Sequence, residues 1–200
     1  MIRLRLFDDM RLCTDAEVER MLPLVPETRR SQAMAFKHTF GRFASLKSYL
    51  MLASLLKDTF GVERVEMAVG EHGKPYLAGR PDIHFNISHC KNAIAVAVSD
   101  RPVGIDAESL RSFSDSLLDK TMNPAEKALI LSSPKPDEAF ISYWTRKEAV
   151  FKLMGTGITD NLHGILTDKT KTDTVVNPDK GYAVSVAMYT QDYPDQFCWQ

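Results

Sequence analysis

A chain of 200 residues is long enough for one or two small domains with a hydrophobic core of their own. Charge is nearly balanced, 25 basic against 26 acidic residues, which argues against a surface given over to nucleic acid. Cys13, Cys90 and Cys198 are scattered without metal-ligand spacing and read as free thiols of a cytosolic protein; no signal peptide and no membrane-spanning apolar run is expected.

Residues 2–7 alternate apolar with polar and predict a strand with one buried face. Thr14-Asp15-Ala16-Glu17 has the form of a capping box, opening a short helix that ends before Pro23. Across residues 28–57 the chain carries Arg29, Arg30, Lys37, Arg42, Lys47 and Lys57, with His38, and no Asp or Glu. The part from 42 to 57 is apolar nearly all round and predicts a buried helix, entered at Gly41 and ended by Gly61. Those basic residues are either solvated side chains or a site for phosphate, and basics without acids at a helix entrance favour the anion. Residues 62–69 predict a strand. A turn follows over 70–75, with Gly73 free to take positive φ and Lys74 either solvent-facing or functional. Residues 83–88 and 93–98 then predict a strand pair joined around Lys91-Asn92, with His89 between them.

Arg101-Pro102 punctuates the chain near its middle and divides 1–101 from 102–200. In Val103-Gly104-Ile105-Asp106-Ala107-Glu108 two carboxylates stand at i and i+2, on one face of a strand and about 6–7 Å apart along it. Asn123-Pro124-Ala125-Glu126 predicts a helix start, with Glu126 either closing the capping box or standing near a metal. The helix predicted over 137–154 ends toward Gly155 and Gly157 and carries Glu148 and Lys152 as neighbours at i and i+4. Alone, that spacing describes a surface ion pair worth about 0.3–0.5 kcal/mol. Where the strand end faces the helix, however, three carboxylates and a lysine can meet, and Mg²⁺ takes such oxygens together with substrate phosphate. Residues 164–166, 174–176 and 182–189 predict an antiparallel sheet, interrupted by Asn177-Pro178-Asp179-Lys180-Gly181; residues 193–200 carry no clear signal.

Four segments recur together: Gly73-Lys74-Pro75, Phe85-Asn86-Ile87-Ser88-His89, Gly104-Ile105-Asp106-Ala107-Glu108, and Trp144 to Lys152 with Lys147-Glu148 inside it. In this order and approximate spacing the chain resembles the 4′-phosphopantetheinyl transferases, in the longer single-chain type related to the surfactin-synthetase activator. The resemblance covers residues 25–160, roughly. It implies an α+β fold of two similar lobes, a pseudo-dimer in which each lobe packs a long helix on a small, mostly antiparallel sheet. Residues 1–101 would contribute to coenzyme A binding and 102–200 would carry the metal and catalytic residues. The implied reaction moves phosphopantetheine from coenzyme A to a serine of an acyl, peptidyl or polyketide carrier protein, with Mg²⁺ required.

In that reaction Asp106, Glu108 and Glu148 would hold the metal, Glu148 would take the serine proton directly or through a metal-bound water, and Lys152 would stabilise or protonate the leaving phosphate. Arg42 first, then Arg29 and Arg30, with Lys74, Ser88 and His89, would contact coenzyme A. The expected protein is a cytoplasmic monomer with no nucleic-acid or membrane partner. Two rival functions stay open: another Mg²⁺-dependent phosphotransferase or phosphatase, and a module that binds coenzyme A or a carrier without turnover. The segment 112–122 offers Phe113, Leu117, Leu118 and Met122 with Arg111 and Lys120, and fits either a carrier-docking surface or core packing.

Overall fold

The computed structural model describes residues 1–200 except 71–72, 158–160, 195–196, 198 and 200. Cys13 and Cys90 are free thiols, whereas Cys198 lies outside the described residues. No helix among the described residues is long and apolar enough to cross a membrane.

The first half runs β1 (Ile2–Phe7), α1 (Asp15–Met21), α2 (Glu27–Met34), α3 (Thr39–Phe60), β2 (Met67–Val69), β3 (Pro75–Leu77), β4 (His84–Cys90) and β5 (Ala93–Ser99). The second runs β6 (Gly104–Ser109), α4 (Asp115–Thr121), α5 (Pro124–Ser132), α6 (Pro136–Met154), β7 (Thr170–Asn177) and β8 (Tyr182–Tyr189). Antiparallel pairing gives sheets of order β1-β5-β4 and β6-β8-β7, with β2-β3 as a separate hairpin. This is an α+β fold. In each three-stranded sheet the first strand of its half pairs with the last, and the last is central.

Local chemistry explains most boundaries. Thr14 Oγ1 accepts from the Glu17 amide, and Asn123 and Glu126 form a complete capping box with Pro124 at the first helical position. Both long helices stop at a left-handed glycine, Gly61 at φ 67° and Gly155 at φ 72°. The helix predicted from Arg42 starts earlier, at Thr39, so Gly41 sits in its first turn. The strand predicted over 62–69 is only Met67–Val69, because the residues before it meet no partner strand and Val62 and Val65 turn into the core. Residues 164–166 form no strand either: Ile165 packs in a cluster with Phe151, Leu153 and Ala187, and no strand pairs with this segment among the described residues.

Strand β5 shows how the layers join. Ile94, Val96 and Val98 pack on Phe43, Leu46 and Leu52 of α3, while Ala93, Ala95 and Ala97 face Ile105, Ala107, Val184 and Val186. Large side chains on one face fill the helix layer, and alanines on the other bring the second sheet close. Edge strand β4 therefore lies against edge strand β6.

Candidate active site

Strand β6 turns Gly104, Asp106 and Glu108 toward α6, and Ile105 and Ala107 toward the sheet core. The glycine is a matter of clearance. A Cβ on Gly104 would lie 2.0 Å from the Ala149 carbonyl oxygen and 2.4 Å from the Leu153 nitrogen, so only glycine lets the helix backbone come this near. Close approach places Glu148 and Lys152 of α6 opposite Asp106, as the two spacings in the sequence require.

Lys152 Nζ donates to Asp106 Oδ1 at 2.7 Å and to Ser88 Oγ at 2.8 Å. Ser88 Oγ in turn donates to the same Asp106 oxygen at 3.1 Å and accepts from the Ala107 amide at 3.1 Å. Its one donor and two acceptor positions are thereby filled. Glu108 accepts from Trp144 Nε1 at 3.0 Å and from Arg111 at 3.4 Å. Asp106 Oδ2 and Glu148 Oε1 are buried with no partner. Burial, then the negative charge of Asp106, pushes the Glu148 carboxyl up to about 7 against the pull of Lys152. Glu108 is raised for the same two reasons, with Trp144 and Arg111 offsetting.

Among the described residues no three His, Cys, Asp or Glu side chains are gathered to hold a metal as they stand, and Lys152 occupies one oxygen of Asp106. The donor set nevertheless fits a hard cation. Two neighbouring carboxylates each keep an orphaned buried oxygen, an arrangement that costs free energy unless positive charge relieves it.

A cavity of about 290 Å³ is lined by Lys74, Asn86, Glu148, Phe151 and Lys152. It adjoins a larger one, about 750 Å³, that reaches Arg29, Ser88 and His89; Gly73, Pro75, Ile87 and Lys152 line both. Arg29 lies over the Tyr49 ring at 5.0 Å with its Nε buried and unpartnered, and burial lowers its pKa. His89 is held toward the neutral form by burial and by Lys152. Lys74 donates to the carbonyls of Lys152, Leu153 and Val103 at 2.6, 3.2 and 3.3 Å, so its ammonium closes the C-terminal end of α6; burial pushes it down to about 8. Arg42 donates to the Phe36 carbonyl at 2.9 Å, and Arg30 to Val25 and Glu27; neither lines these two cavities.

Two alternatives left open by the sequence resolve toward structure. Glu126 closes the capping box and pairs with Lys147 at 2.6 Å. Leu118 and Met122 are buried in the core and Phe113 stacks on Phe140 at 4.8 Å, which leaves Leu117 only half-buried. Sequence reasoning assigned nothing to Asn86 or Lys147, although both stand inside the recurrent segments.

Comparisons with known proteins point to one superfamily. Residues 102–198 match the family model of the 4′-phosphopantetheinyl transferase superfamily. A 4′-phosphopantetheinyl transferase of Bacillus subtilis is 29% identical over 147 residues, 71% of this chain and 65% of that protein. The chain is similar to this superfamily, most clearly in its second half. The transferase psf-1 of Bacillus pumilus is 27% identical over 150 residues, 73% of this chain and 64% of its own length. HetI, a transferase of Nostoc sp., is 36% identical over 142 residues, 66% of this chain and 59% of HetI. The chain thus spans less than two thirds of the length of these family members.

Proposed function

We propose that the chain transfers the 4′-phosphopantetheine group of coenzyme A to a serine hydroxyl of an apo acyl, peptidyl or polyketide carrier protein, releasing adenosine 3′,5′-bisphosphate. The observation that carries this reading is that Lys152, bonded to Asp106, lines with Glu148 a cleft that continues to Arg29 and His89. Mg²⁺, held by Asp106, Glu108 and Glu148, would neutralise the charge of the diphosphate. The serine oxygen attacks the phosphorus next to the pantetheine, and the bond from that phosphorus to the nucleotide bisphosphate breaks. Glu148 takes the hydroxyl proton, directly or through a water. Lys152 spends two donors on Asp106 and Ser88 and lines the cleft, where its third stabilises the leaving phosphate oxygen.

In this reading coenzyme A is met by Arg42, Arg29, Arg30, Lys74, Ser88 and His89, with Arg29 the best placed because it lines the cleft with its Nε buried and unpartnered; Lys74 and Ser88 would have to exchange protein partners for phosphate, and Arg42 and Arg30 would have to turn toward the cleft. The matching strand order of the two sheets supports a pseudo-dimer of lobes 1–101 and 102–200; on the family resemblance the protein acts as a cytoplasmic monomer. A mass assay with coenzyme A, Mg²⁺ and an apo carrier tests the proposal. Gain of a phosphopantetheine group on the carrier serine is the expected result. Phosphate release without carrier modification would indicate a different phosphotransferase, and binding without turnover a non-catalytic module.

A further inference from the structure

Strand β6 pairs with β8 alone, so alternate backbone amides along it face away from its own sheet. Edge donors in a protein interior must find acceptors or cost free energy. On β6 they find side chains. The Ile105 amide donates to Asn86 Oδ1 at 2.8 Å, and the Ala107 amide donates to Ser88 Oγ at 3.1 Å. Donors two residues apart on one edge strand thus meet acceptors two residues apart on the other, β4. Asn86 is 5% exposed and Ser88 7%, so water cannot readily replace either bond.

Asp106 stands between the two amides and carries the oxygen that Ser88 and Lys152 share. A shift of β6 past β4 would break both tethers and move Asp106 away from α6. We propose that Asn86 is a positioning residue: with Ser88 it clamps the carboxylate strand in register across the junction of the two sheets. Its part is therefore to hold Asp106 and Glu108 opposite Glu148 and Lys152. The clamp also gives the Asn-x-Ser spacing a physical reason, since the strand repeat of two places both side chains on the one face that meets β6. The bond from Ile105 fixes Asn86 Oδ1 toward β6 and leaves its amide nitrogen toward the cavity that Asn86 lines.

The inference rests on the proposed transfer for its effect on turnover, but the clamp itself is read without substrate. In Asn86→Ala, amide exchange at Ile105 should accelerate about tenfold or more, the loss of one buried hydrogen bond, while the Asp106 and Glu108 amides stay protected by β8. Mn²⁺, used as a paramagnetic probe for the carboxylate set, should bind about tenfold more weakly. The turnover number should fall by a similar factor with KM for coenzyme A within about twofold, a split that simple loss of stability would not produce. Asn86→Asp, which keeps an acceptor for Ile105, should restore protection there. Unchanged Ile105 exchange in a folded Asn86→Ala protein overturns the clamp, and so do unchanged Mn²⁺ affinity and turnover. Should that variant not fold, rapid exchange at Ile105 in the unmodified protein overturns it as well. If the unmodified protein transfers nothing, the functional proposal fails, and exchange and Mn²⁺ affinity alone decide the clamp.

Discussion

Helix α6 carries two lysine–carboxylate pairs, five residues apart, that differ in one respect. Lys147 is fully buried and spends all three donors, on Glu126, the Thr121 carbonyl and the Leu162 carbonyl, at 2.6, 2.9 and 2.6 Å. The same Glu126 oxygen also accepts from the Asn123 amide. Lys152 keeps a 31% exposed side chain on the cleft, and its partner Asp106 keeps a buried oxygen with no donor beside an equally orphaned Glu148. A saturated pair ties elements together: α4, the start of α5, α6 and the chain near Leu162. An unsaturated pair holds chemical potential for a ligand. Both lysines pair with a buried carboxylate; only the hydrogen-bond account separates them.

The severest way to break this contrast is Asp106→Ala. Transfer should fall at least a thousandfold, roughly, as a lost metal and substrate ligand implies, while circular dichroism and thermal midpoint stay near those of the unmodified protein. Near-normal turnover in Mg²⁺ would show that the orphaned oxygens are not the reactive site. Next come the lysines as a matched set. Lys147→Met leaves Glu126 buried without its cation and should destabilise by about 3–5 kcal/mol, whereas Lys152→Met should cost about 1–2 kcal/mol because Ser88 still donates to Asp106. Urea unfolding decides; equal losses would erase the distinction.

At the other end of the cleft, Arg29→Ala should weaken coenzyme A binding by about 1.5–3 kcal/mol, a charged hydrogen bond's worth. Arg42→Ala should cost less, because Arg42 is engaged with the Phe36 carbonyl. Titration calorimetry with and without the 3′-phosphate would reverse the assignment if Arg42 alone sensed that group. The smallest effect is on pH dependence in chelator. Folding raises the Glu148 pKa from 4.5 to about 7, so the folded protein keeps a proton that the unfolded chain has lost between those values. Stability therefore falls as pH rises through that window. Glu148→Gln should match the unmodified protein near pH 5 and exceed it by about 2–5 °C near pH 8 in melting temperature. No difference at pH 8 would mean that the carboxylate is not strained.

Period and punctuation made much of the fold legible. The alternation in 2–7, the left-handed glycines after α3 and α6, and the Asn123 box all act within a few residues. The carboxylate and lysine spacings likewise placed Asp106 and Lys152 on facing surfaces. What escaped was long-range. Nothing local says that Lys74 will close the end of a helix 78 residues away, that Lys147 will find Glu126, or that Asn86 will meet the Ile105 amide. The missing strand at 164–166 has the same cause, since a strand exists only where a partner does. Basic residues in 28–57 were visible as a group, yet which of them faces the cleft depends on how α2 lies on α3.

Gly104 is a point where the sequence has almost no room to drift. The carbon that any other residue would add lands on the α6 backbone, not on a side chain that could swing aside. A library of variants sorted for folded protein alone should return glycine there and almost anything polar and compact at Asp106. Sorted for turnover, it should return both. The short block that reads as one signature is then two separate constraints, one on distance and one on charge, and recombining it into another scaffold would fail on the first before the second was tested.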